Sequence, residues 1–203
     1  MIPRSMALRA LQLSTWFPVV SVTGPRQSGK STLVREVFSD YTYVNLENPQ
    51  TRQQALTDPV GFIRNRPNRL VIDEAQLAPE LFSMIQVASD ESNEPGQYVL
   101  SGSQNFLLLE QITQSLAGRV GLLKLLPLSF LEARTGDGNL TPDSFMLRGG
   151  YPRLYDVDIP LETFYSAYLE MYVERDVRDY LGVKDLSSYR TLLGLCAQCV
   201  GSL

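Results

Sequence analysis

The stretch Val19-Val20-Ser21-Val22-Thr23-Gly24-Pro25-Arg26-Gln27-Ser28-Gly29-Lys30-Ser31-Thr32-Leu33 constrains this chain more than any other. A β-branched apolar run ends at Gly24, four residues follow, and Gly29-Lys30-Ser31 opens an amphipathic segment. This is the phosphate-binding spacing G-x-x-x-x-G-K-[ST]. Gly24 and Gly29 let the backbone turn around an anion with no Cβ in the way, so that successive N–H groups and the next helix's N-terminus face phosphate oxygens. Gly24, Pro25, Arg26, Gln27, Ser28, Gly29, Lys30, Ser31 and Thr32 are therefore the candidate nucleotide-binding residues. Within them, Lys30 would reach the β- and γ-phosphates and the Ser31 hydroxyl would be a ligand of Mg²⁺.

With 203 residues, 44% of them hydrophobic, the chain can bury one full core with a smaller appendage. A formal net charge of -4 gives no overall basic footprint for nucleic acid, which leaves only a local basic groove for that role. The absence of histidine and the presence of only two cysteines remove most metal-site and histidine-based catalytic options. Mg²⁺ held through oxygen is what remains. No apolar run approaches the roughly 18 to 20 residues needed to span a bilayer, and the first residues lack the pattern of a signal peptide. A cytoplasmic protein without a membrane part is expected.

In chain order, residues 2–17 read as a lead-in helix, with Met6, Leu8, Leu11 and Leu13 apolar and Arg4 and Arg9 polar. A first strand is expected over 19–23, a helix over 30–37, and a second strand over 41–46 that stops at Glu47-Asn48-Pro49. Residues 51–66 read as a helical connection broken at Asp58-Pro59-Val60-Gly61. Strand, loop, helix and strand in this order make a doubly wound α/β fold.

Arg69-Leu70-Val71-Ile72-Asp73-Glu74-Ala75-Gln76 follows. Three consecutive aliphatics suit a strand buried on both faces of a parallel sheet, and two carboxylates arrive where it ends. Ligands of open α/β sheets lie beyond the strands' carboxyl ends, so Asp73 and Glu74 share an edge with the phosphate loop. Asp73 would hold Mg²⁺ through a water, and Glu74 would polarise the water that attacks the γ-phosphate. Successive strand residues point in opposite directions, which lets the two take different roles. The bland reading of the pair is an acidic turn with Asp73 as a helix cap.

After a loop and helix over 76–94, Tyr98-Val99-Leu100-Ser101-Gly102-Ser103-Gln104-Asn105 reads as a fourth strand with a polar end. From there Ser103, Gln104 or Asn105 would reach the attacking water or the γ-phosphate; spacing does not choose among them. A helix over 106–116, an apolar fifth strand over 120–126 and a short helix over 129–134 complete the core. Arg119, just ahead of the fifth strand, is the candidate finger that would stabilise charge on a neighbouring subunit's transferring phosphoryl group. Its plain structural use is as a cation at a helix C-terminus.

Gly24 to Leu33, Tyr43-Val44-Asn45-Leu46-Glu47-Asn48-Pro49, Ile72-Asp73-Glu74-Ala75-Gln76, Leu100-Ser101-Gly102-Ser103-Gln104, Leu116-Ala117-Gly118-Arg119, Pro127-Leu128-Ser129-Phe130 and Gly149-Gly150-Tyr151-Pro152 occur in this order. Together they resemble the AAA+ ATPases of bacteria and archaea that carry a C-terminal domain of unknown function. The resemblance covers nearly the whole chain. It implies a five-stranded parallel P-loop sheet in the order 5-1-4-3-2, ATP as the nucleotide, and a polar sensor at Ser103 or Gln104. That family most often has valine and threonine where this chain has Ser28 and Ser31; serine keeps the Mg²⁺ hydroxyl. Its members run on well past residue 203, so a truncated C-terminus is expected.

Residues 161–181 read as a long amphipathic helix, with Arg175 or Arg178 as a lid arginine set among surface pairs at i,i+4 spacing. Residues 187–203 form another apolar helix, on which Cys196 and Cys199 read as buried reduced thiols. The expected division is an ATPase core over 1–134 and a helical lid with the start of an incomplete domain over 135–203. The expected activity is Mg-dependent hydrolysis of ATP to ADP and phosphate. Self-association would complete the site, and a protein or DNA partner is left unidentified. A second motor domain, an acceptor site and an N-K-x-D element are all missing, which disfavours a stand-alone helicase, a small-molecule kinase and a guanine-nucleotide switch. The alternative kept open is a nucleotide-dependent binding module with little or no turnover.

Overall fold

The computed structural model describes residues 2–66, 69–103, 115–173 and 185–199. Five strands, β1 (Val19–Gly24), β2 (Thr42–Asn45), β3 (Leu70–Asp73), β4 (Tyr98–Ser103) and β5 (Val120–Lys124), form one sheet in the order β2-β3-β4-β1-β5. Every neighbouring pair is parallel. Counted from the other edge this is the order 5-1-4-3-2 that the family resemblance implies. The three central strands β1, β3 and β4 are buried along their whole length, as runs of Val, Leu and Ile require when both faces are covered.

Alternation along these strands divides the core into two clusters. Val19, Leu70, Ile72 and Leu100 face one side, where Leu81, Phe82 and Ile85 of helix α5 (Glu80–Ser92) pack on them. Val20, Val22, Val71 and Val99 face the other, against Ala10 and Leu13 of α1 (Met6–Trp16) and Leu33 and Val34 of α2 (Lys30–Val37). Each fully buried aliphatic side chain contributes about 1.5–3 kcal/mol. The connection after β2 is two helices, α3 (Pro49–Thr57) and α4 (Pro59–Arg64). Asn48 caps the first and Asp58 the second, each followed by proline at the first helical position. The expected break is thus a cap that starts a new helix.

Beyond β5 the chain forms short helices Phe130–Gly136, Pro142–Arg148 and Arg153–Asp156. Leu128, Ala133 and Leu140 gather with Ile2, Phe130, Phe145 and Tyr155 into a third cluster. The first compact unit runs over Met1–Asp158. The second unit, Ile159–Leu203, contains helix Leu161–Tyr168, a π-helical turn Leu169–Val173 and helix Leu186–Gln198. The long helix expected over 161–181 therefore changes its winding at Leu169, and Arg175 and Arg178 lie outside the described residues. Cys196 and Cys199 correct another expectation. Both are exposed, Cys196 on helix Leu186–Gln198, which buries none of its residues, and Cys199 at its C-cap.

Candidate functional site

The phosphate-loop segment begins where a side chain cannot. A Cβ at Gly24 would lie 2.0 Å from the Leu125 carbonyl oxygen, because the chain leaving β5 runs against β1 and Leu125 N–H donates to Thr23 O at 2.7 Å. Further along, Gln27 and Gly29 have φ of 59° and 92°, both left-handed. Left-handed positions between ordinary ones turn successive N–H groups toward a common concavity. Gly29 is the N-cap of α2 and offers no side-chain cap, which leaves the first-turn N–H groups available to an anion.

Lys30 is the first residue of α2 and is 6% exposed, with Nζ donating to Pro25 O at 2.9 Å. Burial pushes its ammonium below the ordinary lysine value, while the charges of Glu74 and Asp73 work against that shift. A buried cation facing two carboxylates at a helix N-terminus fits a polyphosphate, whose oxygens would replace the lost hydration. Ser31 and Thr32 occupy the same first turn. The Ser28 hydroxyl is buried and has no hydrogen-bond partner among the described residues.

Asp73 ends β3 and is 1% exposed. It shares a sheet face with Val71 and Ser101, the face covered by α2. There the Ser101 hydroxyl donates to Oδ1 at 2.5 Å and the Tyr43 phenol donates to Oδ2 at 2.5 Å. Burial and this bond push the Tyr43 phenol up to about 12, so it stays a donor. With both oxygens already accepting hydrogen bonds, the carboxylate suits contact with Mg²⁺ through a water better than direct ligation. No group of three or more acidic, histidine or cysteine side chains that could hold a metal gathers among the described residues. An ion there would depend on phosphate oxygens together with Ser31 and Asp73.

Glu74 leaves the strand differently from the expectation of simple alternation. Its φ of 55° and ψ of 44° are left-handed, and the Gln76 side-chain amide donates to its carboxylate. Ser103 ends β4, pairs with Gly24 in the register and is 6% exposed, so of the three sensor candidates it stands beside the loop's first residue. Gln104 and Asn105 lie outside the described residues.

Arg119 is elsewhere. It precedes β5, whose five residues span about 16 Å, and the far end of β5 is the one that pairs with Thr23. Its guanidinium donates through Nε and one terminal nitrogen to Asp90 of α5, at 2.5 and 2.9 Å. The structure therefore brings the loop, Lys30, Asp73, Glu74 and Ser103 to one edge and leaves Arg119 at the opposite edge.

Sequence reasoning missed a second group of residues around the loop. Arg4, expected on the polar face of a helix over 2–17, precedes α1 in a non-helical segment. Its side chain is 8% exposed; it donates to Ser28 O at 2.7 Å and to Leu126 O at 2.6 Å, and Nε lies 3.4 Å from Glu132 Oε1. Glu132 also accepts from Ser5 N and Ser5 Oγ, both at 2.8 Å, and from Ser129 N at 2.9 Å. Burial alone would raise its carboxyl, but these bonds and the Arg4 charge together hold it down at about 2. Nearby, Leu128 N donates to Gly150 O at 2.6 Å, and a Cβ at Gly150 would meet Leu128 O at 2.3 Å. A cavity of about 60 Å³ lies against the loop, walled by Ile2, Arg4, Gly29, Thr32, Leu128 and Pro152 among others.

A family model described as "AAA domain" matches residues 17–134, and one described as "Domain of unknown function (DUF8612)" matches residues 141–203. An uncharacterized protein of Mycobacterium tuberculosis is 34% identical over 172 residues, covering 82% of this chain and 37% of that protein. One of Haemophilus influenzae is 25% identical over 209 residues, covering 90% and 52%. The chain thus spans from just over a third to about half of the length of these relatives. Among solved structures, the Walker-type ATPase of Pyrococcus abyssi aligns with a TM-score of 0.51 at 19% identity, over 98% of this chain and 76% of that one. AMPPCP-bound DnaA from Aquifex aeolicus aligns with a TM-score of 0.53 at 16% identity, over 89% and 69%. At such identities the likeness is one of fold.

Proposed function

This chain belongs to the AAA domain family, and we propose that it binds MgATP at the carboxyl edge of the sheet and hydrolyses it to ADP and phosphate to drive or gate a partner interaction. The observation that carries this reading is the convergence on one edge of a left-handed loop, an uncapped helix N-terminus, buried Lys30 and the Asp73-Glu74 pair.

In this reading the residues from Gly24 to Thr32 wrap the phosphates, and Lys30 leaves the Pro25 carbonyl to neutralise charge on the β- and γ-oxygens. Ser31 and Asp73 would hold Mg²⁺, which supplies charge neutralisation at the phosphates. Tyr43 and Ser101 keep the Asp73 carboxylate aimed. Glu74 takes the proton of the attacking water once Gln76 releases one carboxylate oxygen. Ser103 stands where it would report on the γ-phosphate, with Gln104 as the other sensor candidate. Arg119 lies too far from its own loop to act in cis, which supports self-association with the finger offered to a neighbour's nucleotide. No helix among the described residues is long and apolar enough to cross a membrane, and we place the activity in the cytoplasm.

A second reading, a nucleotide-dependent binding module with little turnover, is favoured by two contacts. The Glu74 carboxylate is already occupied by Gln76 and Arg119 by Asp90. Steady-state phosphate release from MgATP against protein concentration separates the two, with Lys30→Ala as the blank. Specific activity that rises with concentration and disappears in Glu74→Gln and Arg119→Ala is expected of an ATPase completed between copies. Bound nucleotide without release above the blank would replace it by the binding module, and activity independent of concentration would remove the finger.

A further inference from the structure

We propose that Arg4 is a positioning residue for the phosphate loop, fixing the peptide between Ser28 and Gly29 so that the Gly29 N–H is aimed at the bound phosphates. The inference rests on the ATP reading of the same loop and goes beyond it, because residue 4 lies outside the segment that the family model matches.

The argument is one of peptide geometry. In a planar trans peptide the C=O and the following N–H point in opposite directions. Arg4 holds the Ser28 carbonyl at 2.7 Å, so the Gly29 N–H points away from Arg4. The position is one where the backbone would otherwise be free to turn, since Gly29 is left-handed and has no Cβ to restrict it. A side chain there would also meet the guanidinium, with a Cβ only 3.2 Å from Arg4.

The brace has a rigid footing. A second nitrogen of Arg4 is bonded to Leu126 O, and the segment just before Leu126 is the one whose carbonyl presses on Gly24. Glu132 balances the charge and is itself fixed by Ser5 and Ser129. One planar fork therefore ties the loop's far end to the chain behind the loop's beginning. Lysine carries its three donors on one nitrogen and lacks the planar fork with which Arg4 reaches the two carbonyls through separate nitrogens.

The test uses the full chain and a fluorescent N-methylanthraniloyl ATP with Mg²⁺, reading both Kd and binding stoichiometry. Arg4→Ala is expected to raise Kd about tenfold, the size of one lost charge-assisted hydrogen bond, with stoichiometry near that of the wild type and KM rising more than kcat falls. Arg4→Lys should fall between, and it serves if Arg4→Ala folds poorly. Glu132→Gln should lower the unfolding temperature yet leave Kd within about twofold, because both carbonyl bonds of Arg4 remain. Reduced stoichiometry with unchanged Kd in the Arg4 variants, or a Kd rise in Glu132→Gln equal to that of Arg4→Lys, would overturn the proposal by making Arg4 merely structural. If the wild type binds no better than Lys30→Ala, the ATP reading fails and takes this inference with it. If the wild type binds and the Arg4 variants bind equally well, only this inference fails.

Discussion

Two arginine–carboxylate pairs sit at opposite edges of the sheet and show how differently the same chemistry can be used. Arg4 and Glu132 have side chains 8% and 10% exposed, with backbone partners on every side. Arg119 and Asp90 are bidentate and closer together, but 33% and 49% exposed. The better geometry belongs to the weaker pair, since water and salt screen an exposed contact whatever its distance. A buried pair is expensive to break because removing one partner strands the other. The first pair is therefore built to hold a shape, whereas the second costs little to open.

The contrast is broken most severely by Arg4→Ala. Urea unfolding should show a loss of about 2–4 kcal/mol, because Glu132 keeps its burial without its cation. Glu132→Gln is expected to cost less, about 1–3 kcal/mol at neutral pH, and to change the acid limb of the stability curve. The folded carboxyl, held at about 2 against an ordinary 4.5, takes up a proton less readily than the unfolded one. Its contribution is whole above pH 4.5 and is lost as the pH falls toward 2, so wild type and variant should converge in acid, as followed by circular dichroism. Ser28→Ala removes a buried hydroxyl with no partner while keeping the carbonyl that Arg4 holds, and a gain of about 1 kcal/mol is expected in the same unfolding assay. Asp90→Asn should leave the unfolding midpoint unmoved in high salt, and a clear drop there would show that the outer pair is structural after all.

Much of this arrangement could be read from the residues because burial on both faces leaves a mark. Leu70-Val71-Ile72 and Val19-Val20 are apolar without interruption, and the glycine spacing after Val22 and Thr23 has few uses other than a phosphate loop. Tyr43 gave no comparable signal. In the sequence it is one aromatic residue of an expected strand over 41–46, and only the fold sets its phenol on Asp73. Arg4 and Glu132 are 128 positions apart, so neither carries local information about the other. Arg4 moreover falls within the helix expected over 2–17, which in fact begins at Met6, and nothing local marks that the Ser5 N–H just before it donates to the distant Glu132. The edge of the compact unit is set in a similar way, since the cluster that holds Leu140 and Tyr155 also draws in Ile2, which lies far away in the sequence.

The left-handed backbone at Glu74 has a consequence for anyone who would harden this protein. An L-residue with a side chain held there costs about 1 kcal/mol that glycine or asparagine would not. Random libraries screened for heat tolerance or soluble yield would accordingly enrich Glu74→Gly and Glu74→Asn, and each winner would have discarded the carboxylate on which turnover is proposed to depend. Residue 74 should be held constant in such a library, and its spontaneous loss under selection for stability alone would measure what the chain gives up to keep an acid at that turn.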